Sequence, residues 1–289
     1  SSAEKLAGGF GFTEGPLWHP DGYWLFVDIQ KLQIHKMSPT GQMEIFRDPS
    51  FGTNGMTFDK QGNLIICESD NRQMMRRGAD GTYTPIATHV DGKRINRPND
   101  VVVRSDGSIY FTDLMTFGVV SELDFVGVYK VTPDLGTINL LVRGAPAPLS
   151  PANGLAFSPD EKVLYVTAGQ YIRAFDLQAP RYGVDTGLLN LPSERVFCDL
   201  RGERPGGSDG MKVDVEGNVY CGGSGGLWVI DPSGKHIGTI VSPIAPQIIN
   251  MAWGGDDWKT LFFTTGTTLG RVQLKIPGVP VPRGPVSDS

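Results

Sequence analysis

Apolar residues in this chain come in short runs broken by Gly, Pro and Asx-containing turns, and no long stretch sustains the 3.6-residue period of an amphipathic helix. Six of the runs share one pattern: a polar residue, an apolar run, a turn, and a second run rich in Val, Ile, Tyr and Phe. They are EGPLWHPDGYWLFVD, NGMTFDKQGNLIICE, NDVVVRSDGSIYFTD, NGLAFSPDEKVLYVTA, DGMKVDVEGNVYCGG and NMAWGGDDWKTLFFTT, beginning at Glu14, Asn54, Asn99, Asn153, Asp209 and Asn250. Turn pairs such as Asp21-Gly22, Gln61-Gly62, Asp106-Gly107 and Glu216-Gly217 predict that each segment is a β-hairpin.

The steps between the six starts are 40, 45, 54, 56 and 41 residues, close to the roughly 40 to 50 residues of a four-stranded propeller blade. Weaker runs follow as outer strands, for example IHKMSP then MEIFRD, GVYKVTP then INLLVRG, and GLWVIDPSG then HIGTIV. The last unit has only LGRVQLK after its hairpin, so the N-terminal AEKLAGG is expected to supply its fourth strand and leave no open edge. The expected fold is all-β: a six-bladed β-propeller of four-stranded antiparallel blades around a central channel, the ring closed by the N-terminal strand in the last blade. It forms one domain over residues 1–289, with an irregular tail over about 277–289.

The first strand of each blade lines the channel of a propeller, so the polar residues that open the six segments should ring one end of it. Glu14, Asn54, Asn99, Asn153, Asp209 and Asn250 are all oxygen donors, and their formal charge of −2 matches one divalent cation. Asn-Gly and Asp-Gly are also ordinary turn formers, which accounts for single positions. It does not account for Glu14-Gly15-Pro16 in the same phase. A second column, Asp28, Glu68, Asp113, Ala168, Gly223 and Thr265, ends the second strands; its acids either orient the ring or cap hairpins.

Composition narrows the partners. With 289 residues, 39% hydrophobic and a formal charge of −5, the chain reads as soluble and offers no basic face to nucleic acid or an anionic membrane. No run approaches the roughly 20 apolar residues of a membrane span, and SSAEKLAGGF has no basic region followed by an apolar core. Three cysteines without CxxC spacing suit a reduced compartment. A cytoplasmic location is expected, or a periplasmic one if a signal peptide has been removed. His19, His35, His89 and His236 follow no ligand spacing, and GGSGG at 222–226 lacks a following helix for a phosphate loop.

EGPLW, NRPNDVVVRSDGSIYFTD, PANGLAFSPDEKVLYV and SDGMKVDVEGNVY resemble the SMP-30, gluconolactonase and luciferin-regenerating-enzyme family of six-bladed propellers, in consistent order over essentially the whole chain. The resemblance implies a hydrolase acting on lactones, with one divalent cation held by Glu14, Asn153 and Asp209. Calcium is the leading expectation, with zinc, manganese, magnesium and iron as alternatives. It also implies that Arg97 and Asn99 contact substrate, with Asn99 a ligand or near neighbour of the cation, and that Asp209 is the catalytic base. Phosphotriester hydrolysis or isomerisation on the same site, and a non-catalytic binding propeller with a structural cation, are the rival readings.

The chain departs from the family pattern at Ala168, at Ser69, and in LMTFGVVSELDFVG, which replaces a shorter loop. That segment follows the third hairpin, and its Met115, Phe117, Leu123 and Phe125 form a candidate lid. Such a lid would suit a substrate less polar than a sugar lactone.

Overall fold

The computed structural model describes residues 2–116, 118–144 and 152–284. Among them the chain is antiparallel strand and turn, the one helical element being a single 3-10 turn, Leu191–Ser193. Four sheets are four-stranded meanders in chain order. They are Thr53–Phe58, Leu64–Glu68, Gln73–Arg77, Tyr83–Ala87; Arg97–Val103, Ile109–Leu114, Val126–Val131, Ile138–Gly144; Ala152–Phe157, Val163–Ala168, Tyr171–Asp176, Arg195–Asp199; and Met211–Val213, Val219–Gly223, Gly226–Ile230, His236–Ile240. The hairpin turns read from Asp-Gly and Gln-Gly are in place, with Gly22, Gly62, Gly107 and Gly217 all at positive φ.

A short ribbon pairs His89–Val90 with Lys93–Arg94, and the other strands form one seven-stranded sheet in the order Asn250–Gly254, Thr260–Thr264, Gly266–Gln273, Glu4–His19, Tyr23–Asp28, Gln33–Met37, Met43–Arg47. Its centre is the 16-residue strand Glu4–His19. The first half of that strand lies antiparallel to Gly266–Gln273, with Glu4 opposite Arg271 and Ala7 opposite Leu269; the second half pairs with Tyr23–Asp28, Trp18 opposite Trp24. The two ends of the chain are thereby hydrogen-bonded together. The sheet also folds back on itself, because Trp24 and Phe262, three strands apart in the sheet, stack at 4.6 Å between ring centroids.

Apolar residues on both faces of the strands follow from how the core is laid out. All but one of the hydrophobic clusters lie between two neighbouring sheets, the last lying between the two halves of the seven-stranded sheet: Leu25 and Ile34 meet Phe58 and Ile66, Ile65 and Met74 meet Phe111 and Tyr129, and Tyr110 and Val128 meet Phe157 and Phe175. The series continues with Tyr165 against Val213 and Ile230, Tyr220 and Leu227 against Trp253 and Phe263, and Trp18 and Phe26 against Phe262 and Leu269. A strand buried on both faces reads as a continuous apolar run rather than an alternating one. Cys67, Cys198 and Cys221 are free thiols within this packing.

Leu123 and Phe125, expected in a lid, belong to the core. They are 3% and 8% exposed and pack with Val90, Ile95 and Tyr129. A segment without secondary structure has no periodicity to say which side faces inward, so its apolar residues were assigned to the cavity when the core claims them. Met115 is exposed, and Phe117 lies outside the described residues. The tail over 277–284 is irregular apart from a bridge between Gly278 and Asp214, and Arg283 donates to the Phe157 and Ser158 carbonyls.

Near the axis the inner strands are fastened by threonines on the second strands. The Thr167 hydroxyl accepts the Gly154 N–H at 2.7 Å and donates to the Asp209 carbonyl of the next sheet at 2.9 Å. Thr112 does the same between the Asp100 N–H and the Asn153 carbonyl, at 3.1 and 2.6 Å, and Thr264 accepts the Asn250 N–H. Thr167→Val keeps the shape and strands a buried N–H and a carbonyl, so unfolding free energy should fall by about 2 kcal/mol. Thr167→Ser should recover most of it. Denaturant titration of the two variants measures this, and equal stability for valine and wild type would remove the fastening role.

Candidate functional site

Four of the inner strands break register at the same point, between Glu14 and Leu17, Thr53 and Met56, Pro98 and Val101, and Ala152 and Leu155. A bulge re-aims a side chain out of strict alternation, and these four bulges hold Glu14, Asn54, Asn99 and Asn153. The four residues line one cavity of about 350 Å³ together with Asp209, Arg97, Ser69, Phe12 and Leu114. Asn250 is absent from the wall but donates from Nδ2 to Glu14 Oε2 at 2.9 Å.

The segments that carry the six residues lie close against one another in sequence. A Cβ added at Gly15 would lie 2.1 Å from the Asn54 carbonyl oxygen, and one at Gly55 2.7 Å from that of Asn99. Asn99 is joined to Asn153 by the Thr112 hydroxyl, which holds Asp100 N–H and Asn153 C=O. A Cβ at Gly154 would lie 2.4 Å from the Asp209 carbonyl oxygen, one at Gly210 2.1 Å from the Asn250 amide carbon, and Asn250 returns to Glu14. Glycine follows four of the six because the neighbouring strand occupies the space a side chain would need.

Burial dominates the electrostatics. Glu14 is 3% exposed, and desolvation pushes its carboxyl up to about 7, with Asp100 adding repulsion, against the Gly15 N–H at 2.6 Å and the Asn250 amide. The Asp209 carboxyl is held well above the usual carboxylate range by desolvation, then by Glu14 and Asp100, while an Asn153 side-chain hydrogen bond pulls it down. Asp100, directly after Asn99, is buried and likewise raised by desolvation, with Lys212 opposing.

Arg97 stands at the mouth, lining both the cavity and an adjoining groove with Ser69, Asp70, Arg72, Thr116 and Val119; its Nη2 lies 3.3 Å from Asp70 Oδ1. Ser69 donates to the Pro98 carbonyl at 2.6 Å and so fixes the approach to Asn99. The acids of the second column hold entry segments rather than ring ligands. Asp28 is buried, which opposes ionisation, but the N–H groups of Gly11, Phe12 and Lys31 outweigh that and lower its carboxyl. Asp113, pushed up to about 7 by burial, accepts the Asn96 N–H at 2.8 Å ahead of Arg97. Glu68 pairs with Arg47 at 2.6 Å.

The donor set fits a divalent cation. Two buried carboxylates raise each other's proton affinity, and the groups around them are amide oxygens, which suit hard cations. Among the described residues no three His, Cys, Asp or Glu gather as a metal cluster, so any cation here relies on amides. Phe12, Leu114, Asp100 and Lys212 escaped the sequence reading. Asp100 carried a signal, since it is the acid that stands where four sister segments have glycine.

Residues 12–267 match the family described as the SMP-30/gluconolactonase/LRE-like region. A gluconolactonase of Zymomonas mobilis is 30% identical, the match covering 94% of this chain and 81% of that protein. The crystal structure of a putative gluconolactonase superposes with a TM-score of 0.83 at 28% identity, covering 96% of this chain and 94% of the other. That of regucalcin from Agrobacterium tumefaciens, described as a calcium-binding protein, gives 0.78 at 21% identity, covering 99% and 97%, and so speaks to the fold. The chain is a β-propeller protein and belongs to the SMP-30/gluconolactonase/LRE-like family.

Proposed function

We propose that the chain is a six-bladed propeller, closed through Glu4–His19, that hydrolyses lactones using one divalent cation bound by Glu14, Asn153 and Asp209. Five clusters between successive sheets, a sixth between the two halves of the seven-stranded sheet, and the close approach of one inner segment to the next from Glu14 round to Asn250 support the blade count. The observation that carries the activity is the convergence of Glu14, Asn99, Asn153, Asp209 and Arg97 on one cavity in a chain whose relative is a gluconolactonase.

A bound cation would act as a Lewis acid on the lactone carbonyl, and calcium leads because every available donor is oxygen. Asp209 takes the proton from the attacking water, held in place by its Asn153 hydrogen bond. Arg97, braced by Asp70, offers its planar fork to a substrate hydroxyl or carboxylate, and the Asn99 amide supplies a second polar contact.

Seven of the nine residues that line the cavity carry polar side chains, Phe12 and Leu114 being the other two. Leu123 and Phe125 pack in the core, which removes two of the four side chains behind the expectation of a less polar substrate. A hydroxylated lactone is therefore favoured over an alkyl one. Turnover should vanish on chelation, return with Ca²⁺, and be greater for gluconolactone than for an alkyl lactone. Asp209→Asn should cost about 10²-fold or more in kcat. Activity retained in protein shown to be metal-free would sink the cation's role, and a phosphotriester or isomerase substrate turned over in preference to any lactone would sink the reaction.

The raised carboxyls predict a pH-dependent stability. Unfolded carboxylates ionise near 4.5 and folded Glu14 near 7, so between these values the folded chain binds the extra proton and stability falls as pH rises. For Glu14 the loss is on the order of 3 kcal/mol, complete above about pH 7. Chelated protein should melt at lower temperature at pH 8 than at pH 5, and Ca²⁺ should raise the melting temperature more at pH 8. Asp113, buried away from the ring, leaves a residual slope that Ca²⁺ does not remove. Glu14→Gln should make the chelated profile less steep, leaving the share of Asp209, Asp100 and Asp113, while weakening Ca²⁺ binding; a profile unchanged from wild type would show that Glu14 is not a source.

A further inference from the structure

Four inner strands place glycine after their ring residue, at Gly15, Gly55, Gly154 and Gly210, and each is pressed against the next strand. The third strand places Asp100 there instead. Its Oδ1 accepts the Val101 N–H at 2.9 Å. Its Oδ2 is buried without a hydrogen-bond partner and lies 4.0 Å from Lys212 Nζ. Lys212 follows Asp209 by three residues and donates to the Met211 carbonyl at 3.0 Å.

The stem of Lys212 lines a second, largely apolar cavity formed by residues two to four positions further along the inner strands, including Leu17, Met56, Val101 and Leu155. Tail residues Val279, Val281 and Arg283 share that wall. The Lys212 side chain is half-buried, and Asp100 is the carboxylate that faces its ammonium. The influence runs upward as well, because the charge of Asp100 acts on both Glu14 and Asp209.

We infer that Asp100 and Lys212 are a compensating charge pair beneath the ring, whose members separately raise and lower the channel's affinity for a cation while together leaving its charge at the −2 of the two ring carboxylates. Glu14, Asp100 and Asp209 carry −3 when ionised, and Lys212 returns +1. The two ring carboxylates alone would give the same −2, so an added acid is tolerated because an added base accompanies it. This inference rests on the proposed cation site and concerns its charge rather than its existence.

A compensating charge pair has a signature that a packing role lacks. Lys212→Met leaves −3, so affinity for Ca²⁺ should rise about tenfold and for Tb³⁺ by more, since the electrostatic gain scales with the charge of the ion. Asp100→Asn leaves −1 and should weaken Ca²⁺ by about tenfold or more, with Tb³⁺ weakened further. The double variant returns to −2 and should bind both ions near wild-type affinity. Calorimetric titration of the full chain with each ion, beside melting curves that establish folding, measures all three.

If the two single changes both weaken binding, or neither moves it, the inference is overturned while the cation site stands. If wild type binds neither ion, the proposed function falls and takes the inference with it. Should Lys212→Met fail to melt cooperatively, Lys212→Gln keeps a donor for the Met211 carbonyl and carries the same expectation.

Discussion

Like charges held out of water at the axis are the constraint on which the site depends. Asp100 raises the proton affinity of Glu14, and Glu14 and Asp100 raise that of Asp209, and nothing in a protein interior stabilises such a group except paired charge and hydrogen bonds. The surrounding fold meets that need locally. Gly15 N–H and the Asn250 amide reach Glu14, Asn153 reaches Asp209, and Lys212 stands below Asp100. Hydroxyls of Thr112 and Thr167 hold the backbone of the ring from behind.

Because each ring residue comes from a different inner strand, its position is set by packing between sheets rather than within one. The Trp24 and Phe262 stack and the Phe10 and Phe26 contact at 5.1 Å fix where Glu4–His19 enters the axis, and with it Glu14. Loss of apolar volume between two sheets would shift one ligand relative to the next. Stability and the geometry of the ring are therefore coupled in this architecture, which is why the charge tests above require melting curves beside the titrations.

The strands, hairpins and polar column were legible because each rests on a short-range regularity: two-residue turns, apolar runs and a repeat of about 40 to 56 residues. The column became a site because its phase recurs, and the cavity does contain Glu14, Arg97, Asn99, Asn153 and Asp209. What stayed hidden has no regularity to read. Phe12 lies in a lead-in segment, Lys212 reaches Asp100 across two sheets, and Leu123 and Phe125 sit in a loop whose inward side is chosen by Val90 and Ile95. Asp100 was visible as a break in the glycine pattern, but a break in a repeat carries no direction until the neighbouring strand is placed.

The two ends of the inner strands differ in kind, and that difference shapes the chemistry. At one end bulges turn polar residues toward a cavity open to substrate; further along, the same strands present Leu17, Met56, Val101 and Leu155. The tail crosses that apolar end through Gly278, whose Cβ would collide with the Trp253 ring at 1.8 Å, and through Arg283 on the Phe157 and Ser158 carbonyls. Burial keeps the carboxylates poorly solvated, and poor solvation is the largest cause of Asp209's affinity for a proton.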